Sequence, residues 1–98
     1  MTLMEAQIEA IIKARLFDPS GLTDANDLHD AAYDALVNEA PEVQAWDAEQ
    51  DKGVYSVVVR GVPGAYFVQA MEYDDDGVYS TLDEAVGAAE TSYGEFFI

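Results

Sequence analysis

The chain reads as an α+β fold in the order α-α-β-β-β-α, two N-terminal helices, a three-stranded antiparallel sheet and a C-terminal helix, and three observations predict it. Apolar residues recur at helical spacing up to Asn38. A β-branched run opens at Val54 and turns back through Pro63-Gly64. Thr81 and Glu84 have the spacing of a capping box and precede a third helical stretch.

The first helix is expected over about residues 3–17. Thr2 and Glu5 have capping-box spacing there, and Met4, Ile8, Ile11, Ile12 and Leu16 follow at helical period. Asp18-Pro19-Ser20-Gly21 is loop chemistry, since proline and glycine stop a helix and Asp and Ser favour turns. A second helix is expected over 24–38, with Thr23 as N-cap, Asp24 at the positive end of the helix dipole, and Leu28, Ala32, Ala35 and Leu36 on one face. Residues 42–49 fit a short helix after Pro41 or a strand, and the strand is the preferred reading.

Gln50-Asp51-Lys52-Gly53 is a turn leading into a strand from Val54 to Arg60. Val62-Pro63-Gly64-Ala65 places proline and glycine as a type II turn requires, so Ala65 to Tyr73 is expected to return antiparallel. Asp74-Asp75-Asp76-Gly77 is another turn, and Val78-Tyr79 adds a short extended piece. The third helix is expected over 82–92, with Gly94 ending it in a left-handed conformation and Glu95 to Ile98 as a mostly apolar tail. The helices are expected together on one face of the sheet.

Ninety-eight residues, half of them apolar, suffice for one core without metals or disulfides, so a single domain over 1–98 is expected. No apolar run approaches the ~18 residues needed to span a bilayer, and Glu5 and Glu9 follow Met1 where a signal peptide would be cationic. A cytoplasmic protein without membrane attachment is the expectation. The chain has no cysteine, which removes thiol catalysis, cysteine zinc sites and disulfides.

Charge is the outstanding property. Twenty acidic residues against Lys13, Arg15, Lys52 and Arg60 give a formal charge of −16, well beyond the magnitude of about 2–8 common for small domains. Affinity for nucleic acid comes from cations that displace counterions from phosphate, so direct binding to DNA or RNA is not expected. A protein with a basic surface, itself nucleic-acid-binding, is the partner that the charge favours, with the chain a monomer or homodimer.

The chemical inventory is thin, and no catalytic residue, cofactor or tightly held metal is expected. His29 lies at the edge of the apolar face of the second helix, where a structural role is the ordinary one. The serines have neither a neighbouring histidine nor nucleophile-elbow glycines. Asp74, Asp75 and Asp76 offer adjacent oxygen ligands, but a calcium loop spaces its ligands at alternate positions and adds a bidentate Glu, which this turn lacks.

Placed on the expected elements, the carboxylates form rows. Asp27, Asp30 and Asp34 fall within about a 60° arc at 100° per helical residue, opposite Leu28, Ala32 and Leu36. On a strand, Asp47 and Glu49 share one side with Asp51 beyond, at roughly 6.6–6.8 Å intervals, close to the separation of about 7 Å between phosphates along a DNA strand. Charges opposite an apolar helix face are also what any soluble helix carries, but an ordinary surface mixes signs and gains from i, i+4 pairs, and this one has few lysines to do so.

In size, charge and these rows, the chain resembles the small acidic inhibitors of phages and mobile elements, including anti-CRISPR and anti-restriction proteins of the nucleic-acid-mimic type. That resemblance implies a non-catalytic inhibitor that occupies a basic binding surface. No motif carries residues over from it, and the acids placed on the expected elements, Asp27, Asp30, Asp34, Asp47, Glu49, Asp51 and the Asp74 to Asp76 turn, are the expected partner-binding residues. A rival explanation for the charge is a salt-adapted source, and Tyr66-Phe67-Val68, the Asp-rich turn and Thr81 to Ala85 together look loosely like a small antitoxin domain. Among the aromatic residues, Trp46, Phe96 and Phe97 are the candidates for partner contact.

Overall fold

The computed structural model describes residues 3–51, 53–70, 73, 74 and 77–98. Helix α1 spans Glu5–Lys13 and α2 Ala25–Glu39, strands β1 to β4 span Glu42–Gln50, Gly53–Val62, Ala65–Ala70 and Tyr73–Asp74, and α3 spans Leu82–Tyr93 before a 3-10 turn at Gly94–Phe96. The sheet is antiparallel with spatial order β1-β2-β3-β4. The α-α-β-β-β-α order is therefore present and residues 42–49 are strand, but the strand expected to run from Ala65 to Tyr73 ends at Ala70, and Tyr73 and Asp74 form a two-residue β4 that pairs back on Ala70 and Gln69.

The turn from Val62 to Ala65 has the expected chemistry. Gly64 takes φ 99°, the left-handed value a type II turn demands at its third position. At Gly61 a side chain would collide with the Ala65 carbonyl, so the backbone crossing there needs glycine. Thr81 caps α3, its Oγ1 accepting the Glu84 N–H at 3.2 Å and donating to Glu84 Oε1 at 3.0 Å.

Helix ends differ from the sequence reading. Met4 rather than Thr2 precedes α1, with its N–H donating to Gln7 Oε1 at 2.8 Å, and Thr2 lies outside the described residues. The helix stops at Lys13 because Arg15 adopts φ 61°, its N–H bonding the Ile12 carbonyl at 2.9 Å while Leu16 N–H reaches the Ile11 carbonyl at 3.4 Å. This is a Schellman termination built without glycine, and it turns Leu16 and Phe17 into the core. Asp24, not Thr23, caps α2, accepting the Asn26 N–H at 2.8 Å where a carboxylate also gains from the helix dipole. Gly94 is right-handed, at φ −56° and ψ −34°, and carries α3 directly into the 3-10 turn.

The helices lie on both faces of the sheet, not one. Ala65 and Phe67 of β3 pack with Leu3, Ile11, Leu36 and Ala40 from the α1–α2 side. Their neighbours Tyr66 and Val68 pack with Ala85 and Ala89 of α3. Successive strand residues point to opposite faces, so a strand that buries both sets needs cover on both sides.

Arg60 of β2 fixes α2 to its face. Its Nε donates to the Ala40 carbonyl at 3.0 Å, one terminal nitrogen to Ala40 at 2.8 Å and the other to Val37 at 2.8 Å, and its guanidinium stands 5.6 Å from the centre of the Phe67 ring. A cation thus meets the negative end of a helix whose own last turn contains no basic residue.

Replacing Arg60 with Gln is expected to lower unfolding stability by about 2 kcal/mol in urea titration, since it removes charge-assisted bonds to two carbonyls. Arg15→Gly is expected to raise it by about 1 kcal/mol, because glycine occupies the left-handed position without the steric cost an L-residue bears.

Candidate interaction surface

Apart from Asp74 in β4, every Asp and Glu of the described residues has an exposed side chain. Asp27, Asp30 and Asp34 follow one another along α2, opposite the buried Ala32 and Leu36. In β1 the alternation places Asp47 and Glu49 on the same face, directly across from Ser56 and Val54 of β2, with Asp51 in the turn beyond. Arg60 and Val58 of β2 project from that face too, and Arg60 is what holds the C-terminal end of α2. The helical and strand rows therefore belong to the same side of the sheet.

These acids lack cationic partners. Among the described residues no lysine or arginine lies within ion-pair distance of a carboxylate, and the one histidine contact is His29 Nδ1 to Asp30 Oδ1, at 3.6 Å. Asp18 is held below the ordinary carboxylate value of 3.8 by the backbone N–H and side chain of Ser20, an Asx turn in the loop between the helices. Asp74 lies in β4, while Asp75 and Asp76 lie outside the described residues, so that turn stays an expectation from sequence.

His29 has a structural task. Its Nε2 accepts the Leu3 N–H at 2.8 Å and ties the N-terminal segment to α2. No group of three or more potential ligands capable of holding a metal ion occurs among the described residues, and no described helix is long and apolar enough to cross a membrane.

The aromatic candidates are engaged within the protein. Phe97 stacks on Trp46 with ring centres 5.1 Å apart and planes inclined by 7°. Phe96 and Phe97 both pack on the α3 side of the sheet. Phe97 bridges Ala48, and Ile98 N–H donates to the Asp47 carbonyl at 3.0 Å, so the tail lies along the outer edge of β1.

Two features of this side escape sequence reasoning. One is an open concavity of about 440 Å³ between the end of α2 and the sheet, lined by Ala40, Glu42, Val58, Arg60 and Gln69. The other is the exposed stretch of Ala45, Val54 and Ser56 beyond it. A strand of alternating small and apolar residues marks a face as buried, and nothing local tells which end a helix leaves bare.

No family model, curated protein or solved structure matches the chain.

Unpaired carboxylates at this density repel, and raising salt from 0.01 to 0.15 M shortens the Debye length from about 30 to about 8 Å. The melting temperature is expected to rise by roughly 5 °C over that range, measured by circular dichroism in sodium chloride. A flat or falling profile would show that repulsion is not what the surface costs the fold.

Proposed function

We propose that this protein is a non-catalytic inhibitor that binds a nucleic-acid-binding protein or complex, with CRISPR effectors among the candidate targets, and occupies its basic surface with acidic rows. The observation that carries this reading is the exposure of every described carboxylate apart from Asp74, without a lysine or arginine bridging to any of them. An arginine-lined nucleic-acid channel supplies the missing cations.

The strand at 42–50 favours the mimic reading over charge alone. Asp47 and Glu49 stand on one face at a spacing of about 6.6–6.8 Å, so two carboxylates meet cationic side chains at nearly the interval of successive phosphates. On α2 the acids at i, i+3 and i+7 give a second, tighter row, with axial steps of about 4.5 and 6 Å.

The test uses a target retained from lysate at moderate salt and then purified. Changing Asp27, Asp30 and Asp34 together to asparagine keeps size and removes three charges; binding is expected to weaken by roughly tenfold or more, with little change in melting. Affinity should fall steeply with salt, and an oligonucleotide ligand of the target should compete. A target that binds no nucleic acid, or that holds the triple variant and the parent equally in high salt, refutes the reading.

A further inference from the structure

The side of the sheet that carries α1 and α2 is only half covered. Val62, Ala65 and Phe67 are buried beneath the helices at one end. At the other end Ala45 and Ser56 are exposed, Val54 is 60% exposed, and Val58 and Gln69 are half-buried. The pairs Ala45–Val58, Asp47–Ser56, Glu49–Val54 and Val58–Gln69 place all of these on one continuous surface. The reverse face of the same strands is closed by α3 and the C-terminal tail.

We propose that this open half-face is the seat of a cationic amphipathic helix of the partner protein, its apolar stripe on Val54, Val58 and Ala45 and its lysines or arginines on Asp47, Glu49 and Glu42. The inference rests on the proposed binding of a basic protein and names the surface and the element that it takes.

Charge selects the class of occupant. Asp47 and Glu49 rise from the face itself and Glu42 stands on the wall of the concavity. Arg60, the one described cation of the sheet strands, has its guanidinium turned to the carbonyls of Val37 and Ala40. A second copy of the chain would bring the same carboxylates against an acidic surface and be repelled.

Geometry selects a helix over an extended peptide. An added strand needs a free backbone edge, but the outer edge of β1 already receives Phe97 and Ile98 near Asp47 and Ala48, and its other end is broken by a register shift between Glu42 and Gln44. A sheet face offers side chains only. A helix is about 10 Å across, close to two inter-strand spacings of ~4.8 Å, and therefore fits over β1 and β2 beside α2. On the reverse face α3 occupies the equivalent kind of seat through Ala85 and Ala89.

The experiment titrates ¹⁵N-labelled protein with a synthetic peptide of about 18 leucine and lysine residues patterned at helical period, and with a scrambled peptide of the same composition. The patterned peptide is expected to shift the amides of Ala45, Val54, Ser56 and Val58, and to bind about tenfold more weakly to Val54→Ser, which removes apolar contact without changing charge. The scrambled peptide should bind parent and Val54→Ser alike. A second variant, Asp47→Asn with Glu49→Gln, should weaken both peptides and guards against a fold defect peculiar to Val54→Ser. If both peptides shift the α2 acids and leave the open face unmoved, or if Val54→Ser binds the patterned peptide as the parent does, the seat is refuted while the charge-based reading stands. If neither peptide shifts any residue at low salt, both are refuted.

Discussion

The attachment of Arg60 to the end of α2 is the constraint on which the acidic side of this protein depends. The side chain leaves the sheet, passes over Phe67 and ends on the carbonyls of Val37 and Ala40. Immediately after Ala40, Pro41 leads into β1, and its carbonyl receives the Gly61 N–H at 3.1 Å. Helix α2, β1 and β2 therefore meet at one joint, where a cation satisfies helix-end carbonyls instead of a carboxylate. Two consequences follow together. The helix is held with its aspartates outward, and one of the chain's few cations is withdrawn from the surface without neutralising any acid.

The sheet transmits that joint to the strand row. Because β1 pairs with β2 in continuous register from Gln44 to Gln50, fixing Arg60 fixes which face Asp47 and Glu49 occupy; a shift of one residue would send both into the α3 core. The far edge is held by different means. Phe97 stacks on Trp46 and the tail lies along Asp47 and Ala48, covering part of an edge that would otherwise invite another strand.

Much of the fold was legible because its signals are local. Pro63-Gly64 specifies a turn by backbone conformation, Thr81 and Glu84 specify a helix start by reciprocal bonding, and the β-branched run after Val54 needs no tertiary context. What was not legible depends on distant partners. Arg15 ends α1 in a conformation that glycine usually marks, so the sequence suggested a helix running to residue 17. Arg60 in a strand looks like a solvent-facing cation until α2 supplies its carbonyls, and Gln7, 2% exposed, looks like a surface residue until the carbonyl of Val78 receives its amide at 3.1 Å. The helices were expected on one face because a six-residue strand such as Ala65–Ala70 shows its composition, not that both of its sides are buried. For the candidate site, the spacing in the sequence supplied each row of acids, but that the helical and strand rows lie on the same side of the sheet depends on how α2 packs, and the stacking of Trp46 on Phe97 depends on where the tail lies.

Acid density by itself does not locate an interface here. Glu5 and Glu9 on α1 and Asp83, Glu84 and Glu90 on α3 are as exposed as the aspartates of α2, so the field of the protein is negative in every direction. Such a field steers a basic partner and quickens encounter, but it holds no orientation, because any face presents the same sign. Orientation requires a feature that occurs once. The half-covered face supplies it: among the described residues, only there do exposed apolar residues of two paired strands lie between carboxylates, with a wall formed by the end of α2. Long-range charge and short-range shape are then separable properties of one surface, the first set by composition throughout the chain and the second by how far α2 reaches across the sheet.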